Sequence, residues 1–263
     1  MLECLAKPAK RSVHKLRTST RRIEAQLELL SMLPELPRHI KPRQKLLRLL
    51  KKLRQAAGEV RDLDVQRDLV AETTPKKHHS RSVKDIRKEA DQLRQELKQK
   101  RASLAAELVS VLKQEQEDLP LAFKELFDSL ESVGSLTVSE ADLTSLINTW
   151  YGQHTPATAP EPTDVEHLHD IRKYAKLARY LAESAPPAAD DASRLATRFE
   201  DLQEAGGQWH DWLLLAEIAR EQLGASAQLP TLFASRAQKC LKSFERRIEK
   251  MNARKSRAHA KAA

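Results

Sequence analysis

Two segments far apart in the chain carry the same amphipathic pattern, and that pattern constrains the fold more than any other feature. In the first, Val13, Leu16, Thr20, Ile23, Leu27 and Leu30 recur at steps of three and four; in the second, Leu168, Ile171, Ala175, Ala178 and Ala182 do the same. Such a stripe has the period of a helix and the geometry of a bundle seam, so each segment must lie as a helix against other helices. One position past each stripe, about 100° round the helix, stands a histidine followed by cations. These are His14, Arg17 and Arg21 in the first copy and His169, Arg172, Lys176 and Arg179 in the second. Seam and basic flank recurring together indicate an internal duplication. They predict an all-α fold of two four-helix bundles related by a pseudo-two-fold repeat.

Helix formers and breakers supply the rest of the layout. Only 6 of the 263 residues are Gly, and the long stretches between breakers are rich in Leu, Ala, Glu, Gln, Lys and Arg. Helices are expected over about 8–32, 42–57, 59–72 and 80–116, with Pro34 and Pro37 after the first and Gly58 as a stop between the second and third. Weaker helices over about 121–130 and 139–151 lead to a Pro-rich linker at 154–162. Helices over about 164–183, 190–205, 208–223 and from Pro230 follow, broken at Pro186-Pro187 and at Gly206-Gly207. The expected division is residues 1–117 as the first repeat, 118–163 as connecting helices and linker, 164–251 as the second repeat and 252–263 as a disordered basic tail. Together these make one domain.

Charge narrows the partner. Lys plus Arg number 46 against 37 Asp plus Glu, a formal charge of +9, which favours an acidic ligand. No apolar run approaches the roughly 18 residues of a membrane span, and no secretory leader is legible, so a soluble, cytoplasmic protein without membrane association is expected. Cys4 and Cys240 form no CxxC pattern, which supports neither a zinc knuckle nor a disulfide framework. The histidines of each basic flank have no second ligand one turn on, and His210-Asp211 alone makes no phosphohydrolase centre, so no metal is expected. His78-His79 reads as a surface loop.

The cations are arranged in rows. Lys10, His14, Arg17 and Arg21, with Arg22 beside them, project from one helix; Lys41, Lys45, Arg48 and Lys52 line another, opposite Leu46, Leu49, Leu50 and Leu53. Lys84, Arg87, Arg94, Lys98 and Arg101 form a third strip, and Arg236, Lys239 and Arg246 lie on the last helix. A solvated face is the plain alternative for any one row. Several rows, however, carry no acid at the next turn, and concentrated like charge is costly unless a polyanion neutralises it. Guanidinium groups bind phosphate oxygens bidentately, and lysines act as mobile point charges.

The run His14-x-x-Arg17-x-x-x-Arg21-Arg22, its echo His169-x-x-Arg172-x-x-x-Lys176, and the segments Gly58-Glu59-Val60-Arg61-Asp62 and Gly206-Gly207-Gln208-Trp209-His210-Asp211 together resemble the CHAD family, the conserved histidine α-helical domain. The resemblance covers nearly the whole chain. It implies two four-helix bundles with a basic groove or opening that binds inorganic polyphosphate, often on cytoplasmic polyphosphate granules. Relatives are frequently fused to a triphosphate-tunnel catalytic domain, but no ExExK-type strand is present, so a stand-alone binder is expected. Glu24, Leu177 and the Lys- and Arg-free stretch 139–151 depart from the family's basic pattern.

Polyphosphate-binding residues are therefore expected at His14, Arg17, Arg21, Arg22, Lys45, Arg48, Lys52, Arg94, His169, Arg172, Lys176, Arg179, Arg236 and Lys239. Two roles stay open for His14 and His169: donation to phosphate, or holding a carboxylate such as Asp62 or Asp211, which fall at equivalent points of the two repeats. Binding of nucleic acid by a helical module is the second reading; the rows hold almost no aromatics on which bases could stack. An enzyme acting on phosphate chains would need an acidic metal cluster, a Gly-rich phosphate loop or an activated nucleophile. None is legible, so neither catalysis nor a cofactor is expected.

Overall fold

The computed structural model describes residues 1–33, 40–75, 81–131, 137–155, 164–186, 188–224 and 226–262, with side chains described as far as Ala253. Pro34, Pro37, His78-His79, most of the Pro-rich linker and Pro187 lie outside the described residues. Every long element among the described residues is an α-helix. The chain divides into two compact units, Met1–Lys76 with Ala90–Val138, and Lys77–Glu89 with Ser139–Ala263.

The first unit holds α1 (Leu2–Ala6), α2 (Lys10–Met32), α3 (Ile40–Thr73), α5 (Asp118–Leu130) and most of α4 (Arg81–Glu115). The expected stripe of α2 faces inward: Val13, Leu16, Thr20 and Leu27 are buried, and the Thr20 hydroxyl donates to the Arg17 carbonyl at 2.9 Å. One end of the core joins Val13 and Leu16 to Leu53, Ala57 and Val60 of α3 and to Ala105, Leu108 and Leu112 of α4. The other joins Leu27 to Leu46, Leu49 and Leu50 of α3 and to Ala122 and Leu126 of α5. Burying each such leucine contributes about 1.5–3 kcal/mol.

The second unit holds α6 (Glu140–His154), α7 (Val165–Ala182), α8 (Asp190–Leu223) and α9 (Gln228–Ala262), with the first turns of α4. The α7 stripe Leu168, Ile171, Ala175, Ala178 and Ala182 is buried. Aromatic rings fill this core where the first unit uses leucine: Trp209 stacks on Phe244 at 5.9 Å, Trp212 lies against Phe233 at 5.7 Å, and Tyr151 of α6 meets Phe199 edge-on at 4.8 Å. Two helix starts borrow caps from elsewhere in this unit. Glu140 accepts from the Asp191 and Ala192 amides at the start of α8, at 2.6 and 3.0 Å. Glu89 accepts from the Gln228 and Leu229 amides at the start of α9, at 3.0 and 2.9 Å. Each carboxylate satisfies orphan amides and complements the positive helix end. Gly224, with φ 85°, ends α8 at a positive φ that glycine tolerates.

Three expectations about boundaries are corrected. Gly58 does not stop a helix, nor does Gly206-Gly207: α3 and α8 each run through as 34-residue helices. An interior glycine costs only about 1 kcal/mol, less than is contributed by burial of Leu53 and Val60 on α3 or of Leu202 and Trp209 on α8. Residues 118–154 are not mere connectors, because α5 supplies part of the first core and α6 part of the second. Finally, α9 continues as helical backbone to Ala262 through the expected disordered tail, whose Ala, Arg and Lys residues favour helix and include no breaker.

Candidate functional site

Two of the mid-helix glycines, Gly58 and Gly206, each lie under an arginine of the preceding helix. A Cβ on Gly58 would lie 2.9 Å from Nη1 of Arg17, so the guanidinium of α2 rests directly on the backbone of α3. A Cβ on Gly206 would lie 3.1 Å from Cγ of Arg172 and 2.8 Å from the ring of Phe244, so the stem of Arg172 on α7 rests likewise on α8. In each unit the arginine of the HxxR pair thus packs over a glycine of the neighbouring helix, and at Gly206 the ring of Phe244 shares the space. Asp62 stands four residues past Gly58, and His210 and Asp211 stand four and five past Gly206.

His14 is exposed, with Nε2 3.5 Å from the Thr18 hydroxyl. Asp62 is taken by its neighbour Arg61 at 3.1 Å. His169 lies in a half-buried ring cluster, 4.4 Å from His210 edge-on and 5.4 Å from Trp209. Burial pulls the His169 imidazole below its ordinary value, and the Arg172 charge adds to the effect.

Other expected ligands are engaged by carboxylates. Lys45 pairs with Glu125 of α5 at 2.6 Å, and Lys52 with Glu115 at the end of α4 at 2.8 Å, the Glu115 side chain being 7% exposed. Arg179 pairs with Glu183 at 2.6 Å and Glu200 at 3.1 Å. Arg21 lies 3.6 Å from Glu24, which also takes Arg54 at 2.8 Å, so Glu24 orients two guanidiniums and leaves the trio one positive charge. Lys45, Lys52 and Arg179 thus each form ion pairs with carboxylates, which a phosphate ligand would have to compete with or displace. Same-helix spacing shows only acids one turn away, and those of Lys45 and Lys52 lie 80 and 63 residues off. Arg22 and Arg48 are exposed, and the Arg48 Nε reaches only the Gln44 carbonyl, at 3.4 Å. Lys176 is half-buried on α7, Arg236 lies over the Trp212 ring at 5.7 Å, and Lys239 is exposed on α9.

Arg94 belongs to a separate feature of the first unit, a cleft of about 550 Å³ between the start of α2, the second half of α3 and the middle of α4. Lys10, Arg67, Arg94, Lys98 and Arg101 line it, together with Asp64, Asp68 and the small side chains Ala9, Ala71 and Ala102. Asp64, nearly buried, receives Nε and Nη2 of Arg101 at 2.8 and 3.1 Å, and Nη2 also donates to the Pro8 carbonyl at 2.9 Å. Asp68 pairs with Lys10. Arg67 escaped sequence analysis because a helix boundary placed at Gly58 hid that α3 carries its basic face past it.

Among the described residues no group of three or more His, Cys, Asp or Glu is placed to hold a metal ion, and no helix is long and apolar enough to cross a membrane. Cys4 is buried and its thiol is pushed up by that burial. Comparison with curated proteins and with solved structures gives no match. Comparison with protein families matches the CHAD domain over residues 3–220, from α1 to the last turn of α8 and across both Gly58 and Gly206. The chain belongs to the CHAD domain family.

Proposed function

We propose that this protein is a non-catalytic binder of inorganic polyphosphate, a linear polyanion held along the basic faces of α2 and α7, and that the two units arose by duplication of one helical bundle. The observation that carries the reading is the recurrence of one construction in both units: an arginine, one turn past a histidine, seated on a glycine of the next long helix. A surface needed only for solubility has no use for a glycine such as Gly58, which costs about 1 kcal/mol inside a helix and has only the Arg17 guanidinium over it. A surface that must hold a guanidinium in a fixed attitude toward phosphate does, because a preset donor loses less freedom on binding. Arg22 and Arg48 extend the basic face in the first unit and Lys176 in the second, while Arg236 and Lys239 add charge on α9. The arginines contribute the charge, and burial disfavours the charged form of the His169 imidazole.

Nucleic acid is the weaker reading, because Trp150, Trp209 and Trp212 are only 3–6% exposed and offer no face for a base. Polyphosphate binding of this kind suits a cytoplasmic protein on polyphosphate granules and requires no cofactor. The test is competition between long-chain polyphosphate and single- and double-stranded nucleic acid at physiological salt. Tighter binding of polyphosphate is expected, and equal or tighter binding of nucleic acid refutes the proposal. Incubation of polyphosphate with the protein and Mg²⁺ or Mn²⁺ should release no phosphate.

A further inference from the structure

We infer that the cleft between α2, α3 and α4 is an end-group site, which receives the terminal phosphate of a linear oligophosphate. The inference rests on the polyphosphate reading for its ligand class and adds a second kind of subsite to it. The cleft differs from the helix rows in shape and in charge. A row presents cations along a line, which suits interior phosphates, each with two free oxygens and one charge. The cleft presents cations from three helices around one space, which suits a group with three acceptor oxygens and about two charges near neutral pH.

The charge inside the cleft can be followed residue by residue. Five cations, Lys10, Arg67, Arg94, Lys98 and Arg101, face two carboxylates, Asp64 and Asp68, which leaves a net charge of three positive. Asp64 is consumed by Arg101 and Asp68 by Lys10. Arg67, Arg94 and Lys98 donate to no acceptor among the described residues. Nor does Nη1 of Arg101, whose other two nitrogens are fixed by Asp64 and the Pro8 carbonyl. Arg101 is therefore held by a nearly buried acid with donor capacity to spare, the arrangement of a positioned ligand group. The space exists because Ala9, Ala71 and Ala102 stand where larger side chains would fill it. Lys10 both lines the cleft and begins the row that continues through His14, Arg17 and Arg21, so a chain lying on α2 would meet the cleft at its end.

The test separates shape from charge. Ala102→Phe fills the cleft from an exposed position and removes no charge, whereas Arg94→Ser with Lys98→Ser removes charge and leaves the space; thermal melting checks that each variant folds. Calorimetric titration of the intact protein with linear tripolyphosphate and with cyclic trimetaphosphate, which has no terminal group, is expected to show at least tenfold preference for the linear form. Both variants should lose at least tenfold in affinity for linear tripolyphosphate. Equal affinity of the native protein for the linear and cyclic forms, or unaltered binding by the filled variant, overturns the inference. Long polyphosphate with both ends blocked identifies the source. Weaker binding than the unblocked chain assigns the cleft to polymer ends, and equal binding assigns it to free short oligophosphates. Failure of the polyphosphate reading shows separately, as preference for nucleic acid over long chains.

Discussion

Replacing Gly206 and Gly58 by alanine, one at a time, should move stability in opposite directions although both substitutions favour helix by about 1 kcal/mol. At Gly206 the added methyl would lie 2.8 and 2.9 Å from two ring atoms of Phe244. That ring is fully buried and stacked on Trp209 at 5.9 Å, so it has nowhere to retreat. Overpacking of this kind costs about 1–3 kcal/mol, leaving a net loss of about 1 kcal/mol and a Tm lower by about 2–4 °C. At Gly58 the only atoms in the way belong to the mobile end of Arg17, which can swing aside. Gly58→Ala should therefore gain up to about 1 kcal/mol while displacing the guanidinium, so that polyphosphate affinity falls as stability rises. Urea unfolding distinguishes the two. Trp150, Trp209 and Trp212 all lie in the second unit and report Gly206→Ala by fluorescence, whereas Gly58→Ala is read by far-ultraviolet circular dichroism. Equal stabilisation by both substitutions, or a Gly58→Ala variant that binds polyphosphate as the native protein does, would refute this reasoning.

Glu140→Ala and Glu89→Ala should each lower stability by about 1 kcal/mol in thermal melts, as loss of a helix cap does; an undiminished Tm would show the starts of α8 and α9 to be satisfied without them. Arg101→Ala strands the nearly buried Asp64 carboxylate and should cost about 3 kcal/mol, whereas Arg101→Met combined with Asp64→Leu should recover most of it in urea titrations. His169, held below its ordinary value of 6.5, gives a stability that is complete above that pH and declines as pH falls through it, because the unfolded chain takes up a proton that the folded chain resists. His169→Phe should flatten that part of the urea midpoint against pH curve, and an unchanged slope would assign it to other groups.

The seams of α2 and α7 and the HxxR pairs were legible because helical period alone decides which residues share a face. Both glycine segments were legible as motifs, but their purpose was not: a glycine reads as a breaker when the arginine resting on it lies 41 residues earlier in one unit and 34 in the other. Distant partners were hidden in the same way, since Glu125 and Glu115 approach Lys45 and Lys52 only when the first unit is folded. Glu24, which sequence marks as a departure from a basic pattern, becomes intelligible as the carboxylate shared by Arg21 and Arg54. The cleft needed three helices and the unbroken α3 before Arg67, Arg94 and Arg101 could be seen as neighbours.

The central claim is that Arg17 and Arg172 are seated to bind phosphate, and charge reversal tests it most directly. Binding of long-chain polyphosphate should be measured across a salt series for the native protein, Arg17→Glu and Arg172→Glu, with circular dichroism confirming the fold. A charge-assisted hydrogen bond to phosphate is worth about 1.5–3 kcal/mol, so each variant should weaken binding by at least about tenfold. The log–log salt dependence should also become shallower by about 0.7 for each phosphate that is no longer neutralised. Folded variants that keep the native affinity and the native salt slope would contradict the account.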